Sequence, residues 1–235
     1  ESILKSVENS ALFYPCSGFD IFVPIELFSP FVNDFWFVDR GYFIFNHQDT
    51  RSYRFDLPVD QQLPVLKDNI AYELLTPTDT IERVDHIGDK YIETCILTET
   101  YRHIPTSRNI KINRQRGYGL LAFENVTSIG VFFYRGDSMG EGGSGDLWLN
   151  SEHIDNICNK LINGGLLVLD GSDGASCRRN EAEHCDFWQY SHKGISLEEA
   201  IQARYSFTDS KGRTFTLVGC AGPRYGQTFI WQLRK

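Results

Sequence analysis

The chain has 235 residues, 41% of them hydrophobic and 14% aromatic, which is enough to bury one sizeable core. Its formal net charge of −8 argues against general nucleic-acid or membrane-surface binding, since both need a basic footprint. No apolar run approaches the ~20 residues of a membrane span. No charged-then-apolar leader stands at Glu1-Ser2-Ile3-Leu4-Lys5. Six cysteines are scattered along the chain (Cys16, Cys95, Cys158, Cys177, Cys185, Cys220), four of them inside apolar patterns, and they read as reduced thiols of a cytoplasmic protein. With no Pro/Ser-rich linker and no internal repeat, residues 1–235 read as a single domain with an irregular β-rich middle, about 46–124.

Ala11-Leu12-Phe13-Tyr14 is a short apolar run broken by Pro15-Cys16-Ser17-Gly18-Phe19-Asp20, the pattern of a buried strand ending in a tight turn. Ile21 to Phe28 suits a short helix, and Asp34 to Val38 a second buried strand ending at Asp39. Strand, turn, helix and strand in that order predict a parallel β-α-β unit. In the middle, Arg51 to Leu57, Ile81 to His86, Tyr91 to Thr98 and Asn109 to Asn113 read as antiparallel strands, with a hairpin turn at Ile87-Gly88-Asp89-Lys90. The basic stretch Lys111-Ile112-Asn113-Arg114-Gln115-Arg116 reads as a solvated strand edge.

Ser128 to Tyr134 is nearly continuous in apolar residues, as expected of a strand covered on both faces. The loop Gly136 to Gly145 follows, rich in glycine and carrying Asp137 and Glu141. Ser151 caps a helix whose Ile154, Ile157, Cys158 and Leu161 recur at helical spacing, and Asn163-Gly164-Gly165 is expected to stop it. Leu166 to Leu169 is a further strand, ending in Asp170-Gly171-Ser172-Asp173-Gly174. Ser196-Leu197-Glu198-Glu199 is a capping box. Arg213 to Cys220 and Gln227 to Leu233 form a terminal hairpin across Ala221 to Gly226.

This order resembles the Rossmann-like fold of S-adenosylmethionine-dependent methyltransferases. The resemblance rests on the strand and tight turn at Leu12 to Gly18, the second strand ending in Asp39, and the Gly-Gly-Leu-Leu-Val-Leu-Asp run at Gly164 to Asp170. It implies an α/β three-layer sandwich with a mostly parallel central sheet, a C-terminal antiparallel hairpin and extra antiparallel strands in the middle. It implies a cofactor loop at Cys16, Ser17 and Gly18, followed by Asp20, with Asp39 on the ribose hydroxyls of S-adenosylmethionine. Asp137 would follow the fourth strand beside the transferred methyl. Where the family carries an acid and then Gly-x-Gly-x-Gly, this chain has Phe13-Tyr14-Pro15-Cys16-Ser17-Gly18.

In an open parallel sheet, ligands bind at the carboxyl ends of the strands. On this reading Asp20, Asp39, Asp137, Glu141, Asp170 and Asp173 would gather around a small molecule there. Three functions compete: a methyltransferase with Asp137 or Glu141 as base, a metal-dependent hydrolase or phosphoryl-transfer enzyme with Mg²⁺ held by the carboxylates, and a non-catalytic binding module. The loop lacks the Gly-Lys-Ser/Thr ending of a phosphate-binding loop. Cys177, His184, Cys185 and His192 could supply a Zn²⁺ site, but no Cys-x-x-Cys step occurs, and a polar loop is the preferred reading. Arg135 is expected to pair with Asp137 or Asp170, and Trp148, Trp188 and Trp231 to serve the core more than a pocket. No role is assigned to His47 or His103.

Overall fold

The computed structural model describes residues 2–18, 20–39, 64–135, 151–170, 197–221 and 228–235. Backbone contacts gather them into two compact units, Glu8–Thr127 and Glu1–Val7 with Ser128–Lys235.

In the first unit β1 (Ala11–Pro15) leads through α1 (Phe22–Phe28) to β2 (Asp34–Asp39). β1 and β2 are parallel, with Ala11 opposite Asp34 and Pro15 opposite Val38. All five β1 residues are buried, which explains its unbroken apolar sequence: neither face has water to meet. α1 buries Pro24, Ile25 and Phe28 and leaves Phe22, Val23 and Leu27 about half exposed. β3 (Tyr72–Ile87), β4 (Lys90–His103) and β5 (Arg108–Arg116) complete the unit's sheet, in the order β3-β4-β5-β2-β1. β3/β4 and β4/β5 are antiparallel, while β5 is parallel to β2. Ile87 pairs with Lys90, so Gly88-Asp89 is a two-residue turn, and Gly88 has the positive φ (57°) such turns favour. α2 (Gly119–Asn125) packs Phe123 against Phe13, ring centroids 5.1 Å apart.

In the second unit β6 (Ile129–Tyr134) is parallel to β7 (Leu161–Asp170), with α3 (Ser151–Lys160) between them in sequence. α4 (Leu197–Gln202), β8 (Ser206–Thr208), β9 (Thr214–Ala221) and β10 (Thr228–Arg234) follow. The order is β6-β7-β10-β9-β8, antiparallel from β7 onward. Trp231 is fully buried against Phe207 and Tyr205, at 5.5 and 6.3 Å between ring centroids, which places it in the core. Arg213 ties the β8–β9 turn to α3, pairing with Asp209 at 2.5 Å and Asp155 at 2.9 Å, while Lys211 also pairs with Asp155. These pairs hold the Asp155 carboxyl below its usual range, the Lys211 bond contributing most.

Several expectations are overturned. Strand accounts for 51% of the structure and helix for 21%, and the pairing is largely antiparallel, so this is no helix-rich Rossmann-like three-layer sandwich with a mostly parallel sheet. The physical reason lies in the connections. A parallel crossover needs a dozen or more residues, whereas β3, β4 and β5 are joined by Gly88-Asp89 and by the short turn Ile104–Ser107. Genuine parallel units at β1–α1–β2 and β6–α3–β7 do not extend to the whole sheet. The basic stretch Lys111–Arg116 is no solvated edge either. β5 lies between β4 and β2, and Asn113, Arg114 and Gln115 are buried. Asn113 explains how polar residues are tolerated there: its Nδ2 donates to Asp34 Oδ1 at 2.7 Å and to the Phe35 carbonyl at 3.0 Å, and its Oδ1 accepts from Thr98.

Gly164 and Gly165 do not stop the helix, which ends at Lys160. Ile129 pairs with Leu161 and Val131 with Leu166, so residues 162–165 bulge from β7, with Gly164 at φ 82°. The Gly164 carbonyl accepts from Ser6 Oγ at 2.6 Å and Gln232 Nε2 at 3.2 Å. The predicted strand Arg51–Leu57 lies outside the described residues. Cys16, Cys95, Cys158 and Cys220 are not joined in disulfides, and burial pushes the Cys95 thiol up to about 11 and the Cys158 thiol up to about 12. Among the described residues no helix is long and apolar enough to cross a membrane.

Candidate functional site

Because β1, β2 and β5 run the same way, their carboxyl ends converge within the first unit. Each end carries a break from regular extended backbone: Cys16 (φ 55°) and Gly18 (φ 51°) after β1, and Gly117 (φ 155°) after β5. Asp39 closes β2 between them. Its Oδ2 accepts the Gly18 N–H at 2.9 Å, and its backbone carbonyl accepts the Gly117 N–H at 3.4 Å. Asp39 stands opposite Arg116 in the β2/β5 register, so an acid and a base are neighbours at the strand ends. The Ser17 N–H goes to the Val38 carbonyl (3.1 Å) and the Asp20 N–H to the Ser17 carbonyl (3.0 Å), closing the turn. The Tyr14 hydroxyl donates to Asp20 Oδ2 at 3.1 Å. Of the five predicted positions, Cys16, Ser17, Gly18 and Asp20 thus share the turn after β1, and the Gly18 N–H ties that turn to Asp39 at the end of β2.

The β5 contribution was missed by reading its sequence as an edge. A Cβ on Gly117 would lie 3.0 Å from Thr94 Oγ1 and 3.4 Å from Gln115 Nε2, so glycine keeps this end open. Gln115 is 1% exposed, and its Nε2 has no hydrogen-bond partner among the described residues. The signal was present: a basic strand running into Gly117-Tyr118-Gly119 marks a strand end.

The turn meets the requirements of S-adenosylmethionine only in part. Asp39 has the chemistry for ribose hydroxyls, being an acceptor fixed at a strand end. The loop does not suit the family's use of backbone donors: Pro15 has no N–H, and the Ser17, Gly18 and Asp20 amides are bonded within the chain. Asp137, Glu141, Asp173 and the Gly136–Gly145 loop lie outside the described residues, as do Cys177, His184, Cys185, His192, His47, Trp148 and Trp188. Asp170 is the last residue of β7. Among the described residues no group of three or more His, Cys, Asp or Glu side chains is placed to hold a metal ion.

A second polar cluster, at the β3–β4–β5 end of the sheet, has a structural character. Glu99 is 1% exposed and accepts from Val65 N–H, Tyr101 Oη and Thr78 Oγ1, each at 3.0 Å. Burial raises the Tyr101 phenol far above its ordinary value, so it stays protonated and can donate. His103 is buried, bonded to Thr106 at 2.7 Å, and held below its usual pKa by desolvation.

No protein-family model matches the chain, and neither a curated protein nor a solved structure matches it.

Proposed function

We propose that the chain is a binding module for a small molecule rich in hydrogen-bond donors, of the nucleoside class, received at the carboxyl ends of β1, β2 and β5. The supporting observation is the Gly18 N–H to Asp39 Oδ2 bond, which fixes a carboxylate at the convergence of three parallel strand ends. A carboxylate is an acceptor only, so it favours vicinal hydroxyls or an amine over a phosphate. Asp20 adds a second acceptor in the same turn, and the Ser17, Gly18 and Asp20 amides, bonded within the chain, are not offered to an anion. Methyl transfer with S-adenosylmethionine is the competing use of the same acid, and the occupied amides weigh against it.

Thermal shift distinguishes the two uses. Adenosine, S-adenosylmethionine and S-adenosylhomocysteine would be tested separately against the wild type and Asp39→Ala. A ligand at a hundredfold over its Kd stabilises by about 2.7 kcal/mol. The binding module predicts stabilisation by adenosine that disappears in Asp39→Ala. Stabilisation by S-adenosylhomocysteine with none by adenosine would favour the transferase. Silence from all three ligands would sink the nucleoside assignment.

A further inference from the structure

We propose that the chain self-associates through β3, whose outer edge pairs antiparallel with β3 of a second copy about a two-fold axis at Val84. β3 is the outermost strand of its sheet among the described residues. Its register with β4 is interrupted between Leu74 and Thr76 and between Thr76 and Asp79, then runs unbroken from Asp79 to Ile87. Thr80, Ile81, Glu82, Arg83 and Val84 are all exposed, Ile81 by 50% and Val84 by 54%, and no strand among the described residues pairs with this outer edge, so the length offers apolar side chains and a strand edge for pairing.

The sequence identifies the occupant. Residues facing each other across an antiparallel pair share a face of the sheet. A two-fold axis normal to the sheet must therefore pass between two copies of the same residue. Centred on Val84, the stretch Ile81-Glu82-Arg83-Val84-Asp85-His86-Ile87 is complementary to its own reverse. Val84 meets Val84, Arg83 meets Asp85 and Asp85 meets Arg83, while Glu82 falls opposite His86 and Ile81 opposite Ile87. Neighbouring centres fail: Arg83 would oppose Arg83, Glu82 would oppose Glu82, and Asp85 would oppose Asp85. Within one copy Arg83 Nε already lies 2.9 Å from Asp85 Oδ1, and Asp85 also accepts from Thr94 Oγ1 at 2.6 Å. Charges that normally blunt an edge are here arranged to attract an identical one, the isologous pattern of a two-fold dimer.

The test is the molar mass of the whole chain by sedimentation, on wild type and four variants. A seven-residue strand pairing makes a small interface, so a dissociation constant on the order of 10 µM is expected. Val84→Lys sets two ammonium groups face to face and should raise that constant at least tenfold, with unchanged circular dichroism because Val84 is exposed. Arg83→Asp and Asp85→Arg should each do the same, and the double exchange Arg83→Asp/Asp85→Arg should restore the dimer. A wild type that stays monomeric at about ten times that constant, as it would if the edge served an unrelated protein, would overturn the proposal. So would a dimer that survives Val84→Lys, or a double exchange no tighter than its single variants.

Discussion

Replacing Glu99 by alanine should remove about 3–5 kcal/mol of folding stability. The carboxylate is buried and accepts three hydrogen bonds, from the Val65 amide, the Tyr101 hydroxyl and the Thr78 hydroxyl. Each buried donor left without an acceptor costs about 1–3 kcal/mol, and the three do not add fully because the truncated site relaxes. Urea unfolding would measure the loss as a lower midpoint at constant slope. In a chain of this size each 1 kcal/mol lowers Tm by roughly 2–4 °C, which gives a drop of about 6–20 °C. Thr80→Ala, on the exposed part of β3, serves as the control and should change stability by less than about 0.5 kcal/mol. A Glu99→Ala variant as stable as that control would refute the placement of β4 and β5 in the sheet interior.

Gly165→Ala should destabilise by about 1–3 kcal/mol, because the new Cβ would lie 2.6 Å from Leu161 Cγ and 2.9 Å from the Ile162 carbonyl. Urea unfolding checks it, and an unchanged midpoint would contradict the β7 bulge. The Asp155 carboxyl is held below its usual pKa by Lys211 and Arg213, with Asp209 and Cys158 the other titratable groups nearby. A lowered folded pKa means stabilisation that is present above the unfolded value of about 3.9 and lost as pH falls through the folded one. Asp155→Asn should therefore cost about 1 kcal/mol at neutral pH, and the difference from wild type should shrink as the pH is lowered below about 4. A pH-independent difference would contradict the ion-pair assignment.

Where sequence and structure agree, local physics set the outcome. β1 and β6 are apolar throughout because both faces are covered, and that signal is legible without coordinates. The Gly88-Asp89 turn was legible for the same kind of reason, since few residues tolerate positive φ. What escaped was non-local. Lys111–Arg116 carries the residue types of a solvated edge, and only its neighbours, β4 and β2, make it interior. Asn163-Gly164-Gly165 has the chemistry of a helix stop, and positive φ is realised at Gly164, but in a bulge whose partners, Ser6 and Gln232, stand far away in sequence. That the β1 turn and Asp39 come together was legible from the β-turn-α-β order. Gly117 and Gln115 were not, because their place at that site depends on the β2/β5 pairing. The error in the fold class was one of proportion: the middle strands and the terminal hairpin were expected to be antiparallel additions to a mostly parallel sheet, whereas their pairings, with β8 added, outweigh the parallel pairs β1/β2, β2/β5 and β6/β7.

The proposed site at the ends of β1, β2 and β5 has Asp39, bonded to Gly18, as its recognition point. The most direct measurement is an amide NMR titration of the isotope-labelled chain with adenosine. Recognition at Asp39 predicts that the Gly18 and Gly117 amide resonances move together and saturate, and that Asp39→Ala removes both responses while the spectrum stays folded. Adenosine binding that leaves both amides unmoved, or that survives Asp39→Ala, would contradict it.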